Sequence, residues 1–113
     1  METERRAYFK DLLTRRRSEL LALSDDAADA RKPVELDQQA VGRVSRQDAL
    51  QQQAMAKAQD ARRAYELKRI AAALARIADG DFGWCAECGE AIAERRLEID
   101  PTAERCVSCA HGL

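Results

Sequence analysis

All four cysteines of the chain fall into two C-x-x-C pairs, Cys85-Ala86-Glu87-Cys88 and Cys106-Val107-Ser108-Cys109, with seventeen residues between them. Each pair can place two sulfurs on one ion from a tight turn, and two such turns complete a tetrahedral S4 site of the kind zinc accepts. The separation fits the zinc pattern of two C-x-x-C pairs about 15–20 residues apart. Two disulfides or free buried thiols are the competing readings, but nothing else in the chain points to an oxidising compartment. A segment of about thirty residues cannot build a core of its own, so a bound metal would supply its folding energy, on the order of 10–16 kcal/mol. We therefore expect one structural Zn²⁺ held by Cys85, Cys88, Cys106 and Cys109. Four protein sulfurs leave no open coordination position, which argues against a catalytic metal and against an enzyme. A thioredoxin-like site would need a C-x-x-C within a βαβ pattern, and no such pattern is present. The single histidine, His111, lies two residues past the last cysteine and is expected to be solvent-exposed.

The remainder is polar, with 35% charged and 4% aromatic residues over 113 positions. That composition suits long solvated helices better than a thick globular core. No run of 18 apolar residues exists, and the first residues lack the apolar stretch of a signal peptide, so a cytoplasmic protein that avoids membranes is expected. The net charge of -1 hides an asymmetry. Residues 1–79 hold 16 Lys/Arg and 13 Asp/Glu, whereas residues 80–113 hold 3 and 7. Four thiolates on one Zn²⁺ would add about two more negative charges to that end. Nonspecific nucleic-acid affinity comes from Lys and Arg displacing counterions, so direct DNA binding is not expected.

From Thr3 to Ala30 the sequence reads as a helix, with Phe9, Leu13, Leu20 and Leu23 at heptad-like spacing and Arg16 interrupting the seam. Thr3 is the expected N-cap, and Arg15-Arg16-Arg17 reads as a solvated basic face. Pro33 removes a backbone donor and disfavours helix at Lys32, so the segment 32–44 reads as a turn. Ser45-Arg46-Gln47-Asp48 resembles a capping box and would start a second helix running to Asp79, with Gly80 as its stop. Leu67, Ile70, Leu74 and Ile77 mark its inner face, continued by a thinner stripe through Leu50, Ala54, Ala58, Ala61 and Tyr65. Small residues bury less area each, so the pair should be tightest near the cysteines and looser toward the turn. The expected fold is mostly α: an antiparallel two-helix coiled-coil hairpin over 1–79, tipped at 32–44, with a small C-terminal four-cysteine zinc finger over 80–113. A monomer is expected, an oligomeric coiled coil of one long helix being disfavoured by Pro33. Phe82, Trp84, Ile92, Leu97 and Ile99 should pack the finger against the helix base, because Lys and Arg are too scarce there for base stacking.

With both parts placed, the chain resembles the DksA/TraR family of bacterial C4 zinc-finger regulators. The resemblance is carried by Gly80-Asp81-Phe82-Gly83-Trp84-Cys85, Cys88-Gly89, Ile92, Arg95-Arg96-Leu97, Pro101-Thr102-Ala103 and Cys106-x-x-Cys109, and extends more loosely over the hairpin. It implies a regulator that binds RNA polymerase, with the coiled coil entering the secondary channel and its tip approaching the catalytic centre. The family's D-x-x-D-x-A tip motif is absent; Asp37 and Asp48 are the acids available as tip effectors. Some positions of the family's nucleotide-contacting bases hold Asp100 and Ala110, which argues against guanosine tetraphosphate binding in the family's manner, although Arg69 matches one basic position on the second helix. Two other functions remain open on the residues: a zinc-ribbon module that binds nucleic acid, and an adaptor in which cysteine oxidation releases zinc.

Overall fold

The computed structural model of the protein describes residues 2–30 and 43–111. Two long helices, α1 (Thr3–Ala30) and α2 (Arg43–Asp79), pack against each other, followed by two short ones, α3 (Glu94–Ile99) and α4 (Val107–Ala110). The chain is mostly helical, and its one β-bridge among the described residues pairs Trp84 with Ala91 antiparallel. At 1.5 Å per residue, α1 is ~42 Å long and α2 ~55 Å. High helix propensity explains the length of α2: eleven alanines fall between Ala49 and Ala78, with no Gly or Pro among them. The turn expected at 32–44 lies, up to residue 42, outside the described residues, as does Asp37.

The ends of the helices depart from expectation in two places. The amide of Arg6 donates to the Glu2 carbonyl at 3.0 Å, which makes Glu2 the capping residue and puts Thr3 inside the first turn. The Thr3 hydroxyl instead accepts from the Arg6 guanidinium at 3.4 Å. Ser45 likewise lies within α2, since helical residues precede it; a capping box needs non-helical backbone at its serine. The C-terminal stop is as expected. Gly80, at φ +84°, turns the chain where a side chain would be strained, and the amides of Asp81 and Phe82 both donate to the Arg76 carbonyl at 2.9 and 3.1 Å.

The core sits at the finger end of the hairpin. Phe9, Leu13 and Leu20 of α1 and Ile70 and Ala73 of α2 are buried together with Phe82, Cys85, Ile92, Leu97 and Ala103 of the finger. Leu12, Leu67, Leu74 and Ile77 pack partly buried against them. The hairpin is therefore tight near the cysteines and loose away from them, as the residue sizes imply. The thin stripe through Leu50, Ala54, Ala58, Ala61 and Tyr65 is exposed, contrary to expectation. The 3-4 spacing of Leu67, Ile70, Leu74 and Ile77 continues instead through Arg63, Asp60 and Ala56, which are the partly covered positions. Polar residues on that seam hid it from an apolar pattern. On α1 the partly covered continuation beyond Leu20 is Ser24 and Ala27, and Leu23 is exposed.

Candidate metal centre

The finger begins where α2 stops. The Trp84–Ala91 bridge is flanked by two backbone bonds, Ile92 amide to Gly83 carbonyl at 2.8 Å and Cys85 amide to Glu90 carbonyl at 2.7 Å. Inside that ribbon the Gly89 amide donates to the Cys85 carbonyl at 3.0 Å, closing a turn that carries Cys85 and Cys88. The second pair is set differently. Cys106 stands at the N-cap of α4 in extended conformation, and Cys109 follows within the helix. The Ala86 amide donates to the Glu104 carbonyl at 2.8 Å and ties the first turn to the approach of the second.

These two turns bring the four sulfurs within 4.8 Å of one another. Cys88 Sγ and Cys106 Sγ are 3.7 Å apart, and all four cysteines are free thiols. A disulfide would require ~2.05 Å. Sulfurs each ~2.3 Å from a central ion at tetrahedral corners stand ~3.8 Å apart, close to the 3.7 Å between Cys88 and Cys106. The electrostatics agree with a cation between them. Amides of Cys88 and then Cys106 pull the Cys85 thiol down to about 6. Hydrogen bonds to the Cys106 and then the Cys85 sulfur favour the protonated form and push the Cys109 thiol well up. A divalent ion would replace those shared protons and let all four sulfurs be thiolates, and no oxygen or nitrogen ligand joins the cluster among the described residues. His111 is exposed and outside it.

Several contacts fasten the finger to the hairpin, among them an Arg76 guanidinium that donates to the Thr102 carbonyl at 3.3 Å. Phe82 packs on Phe9, ring centroids 5.3 Å apart, with both side chains buried. Arg5 reaches Glu98 at 2.9 Å and Glu94 at 3.6 Å, holding α3 against the start of α1. Arg69 of α2 donates to Asp100 Oδ2 at 3.1 Å, while Asp100 Oδ1 accepts from the Thr102 hydroxyl at 2.6 Å and the Thr102 amide at 3.1 Å. Burial raises the Asp100 carboxyl, but the bonds from Thr102 and Arg69 outweigh it and hold the carboxyl below its ordinary value. Of the apolar residues expected to pack the finger, Phe82, Ile92 and Leu97 do so. Trp84 is 48% exposed and Ile99 81% exposed; each lies near a buried residue in sequence and faces out.

The finger's own bases are largely engaged within it. Arg96 donates to the Arg105 carbonyl at 3.0 Å, and Arg105 pairs with Glu87 at 3.3 Å. Asp48 is exposed on α2, and ~46 Å of helix separates it from Asp79 at the finger, so it belongs to a different part of the molecule. Sequence reading missed the Asp100–Arg69 clasp and the Arg5 contacts. A carboxylate just before Pro-Thr is a recognisable turn signal, but its helix partner thirty-one residues away is not.

A hairpin of two long helices with four convergent cysteines at its base defines a C4-type zinc-finger protein with a coiled-coil arm. The chain belongs to the DksA/TraR family. Residues 80–113 match the prokaryotic dksA/traR C4-type zinc finger. Over 98% of its length the chain superposes on the transcription factor DksA2 of Pseudomonas aeruginosa, with TM-score 0.73, 31% identity and 84% of that chain covered. The DnaK suppressor protein of Agrobacterium tumefaciens matches with TM-score 0.54 and 30% identity, covering 95% of this chain and 92% of that one. Among curated sequences, the RNA polymerase-binding transcription factor DksA of Salmonella typhimurium is 46% identical over 43 residues, 38% of this chain. The protein of that name from Haemophilus influenzae is 49% identical over 43 residues. These alignments span only 28% and 30% of the relatives' lengths.

Proposed function

We propose that the protein is a cytoplasmic, non-enzymatic transcription regulator that binds RNA polymerase. The observation that carries this reading is the likeness to DksA2 over nearly the whole chain, hairpin and finger together, at 31% identity. The name RNA polymerase-binding transcription factor, borne by the curated relatives of the finger, supports the choice of partner. In this reading Cys85, Cys88, Cys106 and Cys109 hold one structural Zn²⁺ that supplies the finger's folding energy and takes no part in chemistry. The finger in turn holds the base of the hairpin through Phe82 and Asp100.

The hairpin enters the polymerase secondary channel, and its far end acts near the catalytic centre. An α2 of ~55 Å gives it that reach. Asp37 and Asp48 are the acids we assign to the effect at the tip, Asp48 because its place far along α2 puts it at the end away from the finger. Direct DNA binding is not part of the function, since Arg96 and Arg105 are spent inside an otherwise acidic finger. Guanosine tetraphosphate is not bound in the family's manner, as Arg69 is engaged by the Asp100 carboxylate. The test is a purified transcription assay. Added protein should alter initiation, and the Asp37→Asn, Asp48→Asn double variant should bind polymerase normally while altering initiation much less. Full activity of that variant would remove the tip acids from the account, and no effect of the native protein on any initiation complex would remove the function.

A further inference from the structure

The seam between the long helices changes character partway along. From Leu20 on α1 and Leu67 on α2 toward the finger it is built of Phe9, Leu13, Ile70, Ala73, Leu74 and Ile77. Beyond that point α2 places Arg63 and Asp60 on the inner face, where they pair with each other within the helix. Arg63 is only 17% exposed, and its Nε is buried with no hydrogen-bond partner. Farther out, the partly covered positions are Ser24, Ala27 and Ala56, and every α2 residue from Arg46 to Met55 is exposed. Among the described residues, large apolar burial thus stops at a layer where a guanidinium has been partly desolvated with its hydrogen bonds incomplete. The Arg16–Glu66 ion pair, 3.0 Å across the helices, closes the apolar side of that layer.

We infer that the hairpin is built in two segments that open separately, with the boundary at the Asp60–Arg63 layer. The base, held by the shared core with the finger, opens only when the whole protein unfolds. The arm beyond the layer, 46–59 of α2 with 21–27 of α1, separates and unwinds as a unit while the base persists, because short helices without a packing partner are marginal in water. The driving balance is local. Separating Ser24, Ala27 and Ala56 exposes little apolar area, and freeing Arg63 restores water to its unsatisfied nitrogen. Cooperative units of differing local stability are an ordinary property of folded chains, and burial density decides where they divide. This inference concerns the free protein and does not depend on polymerase being its partner.

The test is native-state amide hydrogen exchange on the zinc-loaded full chain, read residue by residue across low denaturant concentrations. Amides of 67–79 and 6–16 should share the protection of global unfolding. Amides of 48–59 and 21–27 should exchange about tenfold faster or more, with one common and smaller denaturant dependence. The Asp60→Ala, Arg63→Leu double variant, which makes the layer apolar, should carry base-like protection outward by several residues along α2. Uniform protection along the hairpin would overturn the inference. So would a smooth gradient rising from the helix ends, which is fraying and not a unit, or a double variant whose arm exchanges as before.

Discussion

Phe9 on α1 and Phe82 in the finger are both buried and lie with their ring centroids 5.3 Å apart at an interplanar angle of 47°. The two rings come from distant parts of the sequence and make hairpin and finger share one core. Phe82→Ala should therefore cost about 3–5 kcal/mol in denaturant unfolding of the zinc-loaded protein, through lost burial and the cavity left behind. It should also loosen α1 and not the finger alone. A loss below about 1 kcal/mol would show that the two parts do not support each other.

The metal site predicts its own stoichiometry. Purified protein should carry one zinc per chain, and Cys88→Ser should lose it together with the order of both cysteine turns, because among the described residues no other ligand stands near the four sulfurs. Elemental analysis and near-ultraviolet circular dichroism read both effects. Zinc-free protein with two intact disulfides would contradict the site.

Arg16, which interrupts the apolar seam of α1, reaches Glu66 through Nε at 3.0 Å and a second nitrogen at 3.5 Å. The pair is about half exposed, so a double-mutant cycle with Arg16→Ala and Glu66→Ala should give a coupling below about 1 kcal/mol. That coupling should shrink further at about 1 M salt, where the screening length falls to ~3 Å. A larger, salt-insensitive coupling would mean that the pair is desolvated.

For Asp100 the sign follows from a depressed carboxyl: its contribution is present above the unfolded value of about 3.9 and is lost only as pH falls through the lower folded value. Asp100→Asn should thus reduce stability by about 1 kcal/mol or less, given the exposure of the clasp with Arg69. The difference from the native protein should stay constant between about pH 8 and 5, although both lose zinc as thiolates take up protons toward the acid end. Thermal melts at several pH values measure it. A difference that shrinks across that range would place the carboxyl's titration within it.

How legible these features were depends on how local their causes are. The cysteine turns rest on contacts a few residues apart, so spacing alone pointed to the cluster that the folded chain forms. The apolar end of the seam was equally readable through Leu67, Ile70, Leu74 and Ile77. The outer seam was not, because Asp60 and Arg63 occupy its inward positions and an apolar pattern passes over them to the exposed Ala58 and Ala61. Thr3 and Ser45 have capping chemistry, yet both lie inside helix, where continued backbone hydrogen bonding outweighs a side-chain bond. Asp100 and Arg5 act across the fold, and partners so distant in sequence leave no periodic trace.

The central claim, that this hairpin and finger form a polymerase-binding unit, is tested most directly by co-purification. Zinc-loaded protein carrying an affinity tag should retain core RNA polymerase in the absence of any DNA, at about 150 mM salt, where weak phosphate contacts are screened. The Cys88→Ser protein should retain little, because the finger no longer holds the hairpin base. A folded, zinc-loaded protein that retains no polymerase but binds duplex DNA with steep salt dependence would contradict the account.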